Sequence, residues 1–135
     1  MCYNSNCTVE IKSCIDGETS VVSSKGKIIK SPSGYRVDYS LDGDECSLIV
    51  NERGVVQKRR GEQNIELTFK IGESTQCSLS SGSFKGDFSV YTDDLHYGIG
   101  NVDGLQVFML SMVYLLGEQR TEIVFSAKYT LKGKI

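Results

Sequence analysis

Apolar side chains recur at every second position in three well-separated stretches of this chain, and that period points to strands. Tyr35, Val37, Tyr39 and Leu41 alternate with Arg36, Asp38 and Ser40. Ile65, Leu67, Phe69 and Ile71 alternate with Glu66, Thr68 and Lys70, and Ile123, Phe125, Ala127, Tyr129 and Leu131 with Glu122, Ser126, Lys128 and Lys132. Successive side chains of a strand point to opposite faces, so each stretch describes a strand with one buried face. Val9, Ile11 and Ile15 set against Glu10, Lys12 and Cys14, and Phe84, Phe88 and Val90 against Lys85, Asp87 and Ser89, add two shorter cases.

Turn formers separate these stretches: Pro32-Ser33-Gly34, Asp42-Gly43-Asp44, Asn51-Glu52-Arg53-Gly54, Gly61-Glu62, Gly72-Glu73, Ser81-Gly82 and Gly117-Glu118. Their spacing is close to the roughly 8–12 residues of an all-β meander. Strands are therefore expected at 8–15, 21–31, 35–41, 45–51, 55–60, 65–71, 74–80, 83–92, 105–115 and 119–132. An open sheet of that many antiparallel strands leaves two long edges, and closure removes them. The expected fold is all-β, a closed antiparallel up-and-down barrel of about ten strands. A single domain over 8–135 follows a disordered tail at 1–7, since 135 residues suffice for one core.

Two segments depart from the pattern. The run from Leu105 to Leu116 is apolar on both faces and too short to span a bilayer as a helix. As a strand it needs a cover on each side, and Phe108, Leu110, Met112 and Tyr114 on its outer face would form an association patch. Residues 93–104, which hold Asp93, Asp94 and the sole histidine, His96, read as a long rim loop.

The order of short motifs resembles the YwiB-like family of bacterial calycin-like barrels. These motifs are Asp16-Gly17-Glu18 after the first strand, Gly34-Tyr35-x-Val37-x-Tyr39, Arg59-Arg60-Gly61-Glu62 leading to Leu67-x-Phe69, Phe88-x-Val90-x-Thr92-x-x-Leu95, and Val113-Tyr114-x-Leu116. The resemblance covers nearly the whole chain. It implies a small closed cytoplasmic barrel of uncharacterised function, and it implies no catalytic residues. The chain departs from the family at Leu79 to Gly86, where a Thr-Pro-Tyr-Gly-type turn is usual, and it has no Trp, so the Gly-x-Trp signature of true lipocalins is missing. Barrel shape alone does not license a lipocalin-type ligand.

Composition narrows the function classes. Lys and Arg number 15 against 17 Asp and Glu, a formal charge of -2. No global field steers the chain to nucleic acid or an anionic membrane, and neither partner is expected, although a local patch stays open. Five cysteines, an odd number without a Cys-x-x-Cys pair, read as structural thiols. The first residues lack the basic and apolar regions of a signal peptide, and the expectation is a reducing cytoplasm. One histidine and no cofactor motif give no metal site and no cofactor.

Three functions are carried forward. The first is a non-enzymatic binder of a small amphiphilic or anionic ligand in or at the mouth of the barrel. Its lining would be the inward Tyr35, Tyr39, Phe69, Phe88, Phe125 and Tyr129 with Arg59, whose buried charge needs a carboxylate such as Glu62 or an anionic ligand. The second is a homodimer through strand 105–116, using Phe108, Leu110, Met112 and Tyr114. The third, an enzyme built on Asp93, Asp94 and His96, has no nucleophile motif beside the histidine.

Overall fold

The structure, a computed structural model, describes residues 2–130. It holds ten strands: β1 (Tyr3–Ile15), β2 (Glu18–Ser31), β3 (Gly34–Leu41), β4 (Asp44–Asn51), β5 (Gly54–Arg60), β6 (Gln63–Phe69), β7 (Ser74–Ser81), β8 (Phe84–Val102), β9 (Leu105–Leu116) and β10 (Gln119–Tyr129). Each strand pairs antiparallel with its neighbours in sequence, and β1 closes the barrel on β10. The alternation predicts this up-and-down barrel. Asp16-Gly17, Asp42-Gly43 and Asp103-Gly104 turn three hairpins with positive φ at both residues, the geometry that suits the right-handed twist of the flanking strands. Residues 131–135, the end of the expected domain and of its last strand, lie outside the described residues.

Three expectations change. The first concerns residues 1–7, expected as a tail: from Tyr3 they belong to β1, because β2 is long enough to pair Tyr3 with Lys30. Cys7 is buried between Gly26 and Tyr129, and the Tyr3 and Tyr129 hydroxyls share a 2.7 Å hydrogen bond.

The second concerns residues 93–102, expected as a loop, which continue β8 and pair with β9. A bulge between Thr92 and Asp94 explains why the period was hidden. Before it, even-numbered residues such as Phe88, Val90 and Thr92 face inward; after it, Leu95, Tyr97 and Ile99 do. One extra residue reverses the parity, and the two halves look unrelated when read with one phase.

The third concerns Phe108, Leu110, Met112 and Tyr114, expected on the outside, which face inward. They pair with Ala127, Phe125, Ile123 and Thr121, the inward set of β10. Phe108 and Leu110 are fully buried and Met112 is 2% exposed. The outward residues of β9 are instead Met109, Ser111, Val113 and Leu115.

Side chains fill the centre of the barrel. Phe108 lies 5.0 Å from Tyr35 and 6.3 Å from Phe125, Phe125 lies 5.5 Å from Tyr39, and Phe69 lies 4.9 Å from Tyr114, all between ring centroids. These are tilted or edge-on contacts of the kind aromatic quadrupoles prefer.

Candidate functional site

The two ends of the barrel differ. One carries the β2–β3, β4–β5 and β6–β7 turns and the extended β8–β9 hairpin. There Leu95 packs on the core, Tyr97 meets Tyr35 edge-on at 6.5 Å, and inward residues such as Val37, Val50, Val55 and Phe69 are buried. The hairpin extends over this end, where its own Tyr97 and Ile99 each keep 38% exposure.

The opposite end, at the β1–β2, β3–β4, β5–β6, β7–β8 and β9–β10 turns, has no such cover among the described residues. Its inward apolar residues, Ile11, Leu41, Ile65, Leu79, Phe88 and Ile123, are only half-buried, and at the rim Phe84 and Leu116 are exposed. An inward side chain that still meets solvent lines an open mouth.

One wall of that mouth, on β4 and β5, carries polar side chains, with Leu41 of β3 opposite Asp44. Arg59 points inward, and its Nε donates to Asp44 Oδ2 at 2.7 Å. Its partner is therefore Asp44 and not Glu62. Gly61 leaves room for the carboxylate, since a methyl there would collide with Asp44. The Arg59 side chain keeps 31% exposure against 13% for Asp44, so the guanidinium reaches the mouth while its charge is locally balanced. The hydrogen bond to Asp44 raises the Arg59 pKa further. Deeper in the wall, Gln57 Nε2 donates to the Tyr39 hydroxyl at 3.2 Å. Burial pushes Tyr39 up to about 12, Cys46 adding to the effect and Gln57 and Arg59 opposing it. The facing wall, β8 to β10, presents Phe88, Leu116 and Ile123, so the mouth is polar on one side and apolar on the other.

The seven expected lining residues therefore divide. Arg59 and Phe88 lie at the open mouth. Tyr39, Phe69, Phe125 and Tyr129 are 0–4% exposed and belong to the packed core. Tyr35 sits at the covered end, with the Lys30 ammonium 4.9 Å over its ring. Asp44 and Gln57 were not singled out from the sequence. Both lie across the ladder from inward residues, Asp44 opposite Leu41 and Gln57 opposite Leu48, which is the signal that could have found them.

The acidic segment also takes a definite arrangement. His96 Nε2 lies 2.7 Å from Asp94 Oδ1, and Asp93 lies 3.7 Å from Arg120. The ladder sets Ser111 opposite His96, a neighbour invisible in the sequence. The group nevertheless sits on an exposed sheet face, with the histidine side chain 72% exposed. Among the described residues no hydrogen bond joins His96 to Ser111, and the imidazole is paired with Asp94 instead. No cluster of three or more metal-ligating side chains occurs among the described residues.

No protein-family model matches the chain, and no curated protein matches it. Among solved structures it is similar to the crystal structure of the YwiB protein from Bacillus subtilis, with a TM-score of 0.75 and 15% identity over 95% of this chain and 94% of that one. At that identity the likeness establishes a shared fold across almost the entire chain.

Proposed function

We propose that this chain is a calycin-like, non-enzymatic barrel that holds a small amphiphilic ligand in its open mouth, with an acceptor head group on Arg59 and an apolar portion against β8–β10. The carrying observation is the asymmetry of the inward face: packed and covered at one end, half-exposed and split into polar and apolar walls at the other. Because Asp44 already balances Arg59, the site favours a head group with one negative charge or none over a polyanion. All five cysteines are free thiols, which supports a reducing compartment such as the cytoplasm.

A thermal-shift panel of fatty acids and small anionic metabolites, combined with native mass spectrometry of freshly purified protein, tests this. A ligand present at about 100 times its Kd stabilises by about 2.7 kcal/mol, and the shift should shrink in Arg59→Leu. If no panel member moves the melting temperature or travels with the protein, the reading fails.

A second reading, a homodimer through β9, keeps support only on the strand's other face. Met109 is 48% and Val124 on adjacent β10 38% exposed, beside half-buried Val113 and Leu115. Its test is the Met109→Lys variant described below.

A further inference from the structure

Strand alternation turns Lys30 toward the barrel axis at the covered end. It stands two residues beyond the fully buried Ile28, opposite Tyr3 on β1 and Tyr35 on β3, and is itself half-buried. Its Nζ donates to the Ser31 carbonyl at 2.7 Å and lies 4.9 Å over the Tyr35 ring. Neither partner carries a negative charge. The carboxylates of this end, Glu52, Glu73 and Asp103, belong to turns, and among the described residues none lies within 4 Å of the ammonium. Arg59 at the open mouth differs, because Asp44 balances it there.

Four phenols gather about this lysine. Tyr3 and Tyr35 flank it across the ladder, and Tyr97 reaches over from β8 to meet Tyr35 edge-on at 6.5 Å. The Tyr3 and Tyr129 hydroxyls share their 2.7 Å bond, in which one donates and the other keeps its proton for a further acceptor. Burial raises the pKa of Tyr35 and of Tyr129, and neighbouring phenols add to both, so these groups are neutral at pH 7. Among the described residues the Tyr35 and Tyr97 hydroxyls make no hydrogen bond. With Tyr97 and Ile99 each 38% exposed, the inner face of the hairpin is not sealed against the barrel end.

We propose that Lys30, with Tyr3, Tyr35 and Tyr97, forms a second binding site, for an aromatic monocarboxylate. One ammonium among neutral phenols balances one negative charge, whereas a phosphate monoester brings about -1.5 to -2. The Ser31 carbonyl uses one of the three ammonium protons, which leaves two for carboxylate oxygens, and the phenol hydroxyls supply further donors. The surrounding groups are rings and Ile99, and a planar ring packs on them by the tilted and edge-on contacts that aromatic pairs prefer. The site lies at the opposite end from the open mouth and does not depend on a ligand binding there.

Isothermal titration calorimetry of the full chain with naphthoate tests the assignment. A single saturable site is expected. Lys30→Met, which keeps the apolar stem and removes the charge, should weaken binding about tenfold or more, and Tyr35→Phe about two- to tenfold. Arg59→Leu, at the other end, should leave the affinity unchanged. No binding at millimolar naphthoate overturns the proposal, as does an unchanged affinity in Lys30→Met. An equal loss in Arg59→Leu overturns it too, by moving the ligand to the mouth. Octanoate or inorganic phosphate binding as tightly as naphthoate overturns the aromatic monocarboxylate assignment. If Lys30→Met melts well below the parent, Tyr97→Leu on the exposed hairpin takes its place; weaker binding supports the site and unchanged binding overturns it.

Discussion

Substituting neighbouring methionines on β9 provides a direct test of the barrel's register. Met112 faces inward, opposite Ile123, and is 2% exposed; Met109 faces outward, opposite Ser126, and is 48% exposed. Met112→Ala removes three heavy atoms from a packed core and leaves a cavity, at about 2–5 kcal/mol. Unfolding entropy of about 2.1 cal/mol/K per residue gives about 0.28 kcal/mol/K for a chain of this length, so the melting temperature should fall by about 7–18 °C. Met109→Ala, on the surface, should change stability by less than about 0.5 kcal/mol, or about 2 °C. Differential scanning calorimetry of the two variants decides the matter. Equal losses, or a larger loss at Met109, would refute the register, because a slip of one residue exchanges the two faces. The same position tests association. Met109→Lys should leave the fold intact, and if β9 joins two copies it should turn a dimer into a monomer in light scattering; a parent protein already monomeric at micromolar concentration removes that reading.

Gly26 faces inward in the middle of β2, where a methyl would collide with the Asp38 carbonyl and approach the Tyr39 Cβ at 3.2 Å. Gly26→Ala should cost about 1–3 kcal/mol in a urea titration, whereas Gly98→Ala, with nothing within 4 Å, should be neutral or slightly stabilising. Alkaline pH should expose two buried groups. Burial raises Cys7 from 9.0 to about 11 and Tyr39 from 10.0 to about 12, so their contribution is intact below about pH 9 and is lost as pH rises through about 12. Melting temperatures measured across that window should fall, and Tyr39→Phe should reduce the fall above pH 10. A thiol reagent added to the native protein should label exposed Cys2 first and Cys14 next. Buried Cys7, Cys46 and Cys77 should react only on unfolding; rapid native labelling of Cys46 would contradict its burial.

Most of the strand content is legible because period-two alternation is local. Tyr35 to Leu41 and Ile65 to Phe69 announce their buried faces without reference to any other residue. Phase is less accessible. The stretch from Leu105 to Leu116 is apolar on both faces, so nothing within it says whether Phe108 or Met109 points inward; pairing with β10 decides. At Asp93 a single inserted residue reverses the alternation, and Leu95, Tyr97 and Ile99 cease to look like a continuation of Phe88, Val90 and Thr92.

The candidate sites follow the same division. That Arg59 shares a face with Val55 and Gln57 follows from spacing alone, but its ion partner is Asp44, fifteen residues away and brought close by the β4–β5 ladder. Neighbours on the outer surface depend still more on tertiary structure: Lys25 and Lys128 are far apart in the chain and come to flank Thr8 only because β1 closes the barrel between β2 and β10. By itself the sequence determined an all-β chain, the approximate strands and turns, and which side chains share a face, because alternation and turn chemistry act over a few residues. Only the tertiary structure decided which face is inside on β9, which end of the barrel is covered, and which distant strands become neighbours. Those outcomes depend on register and closure between segments that no local pattern relates.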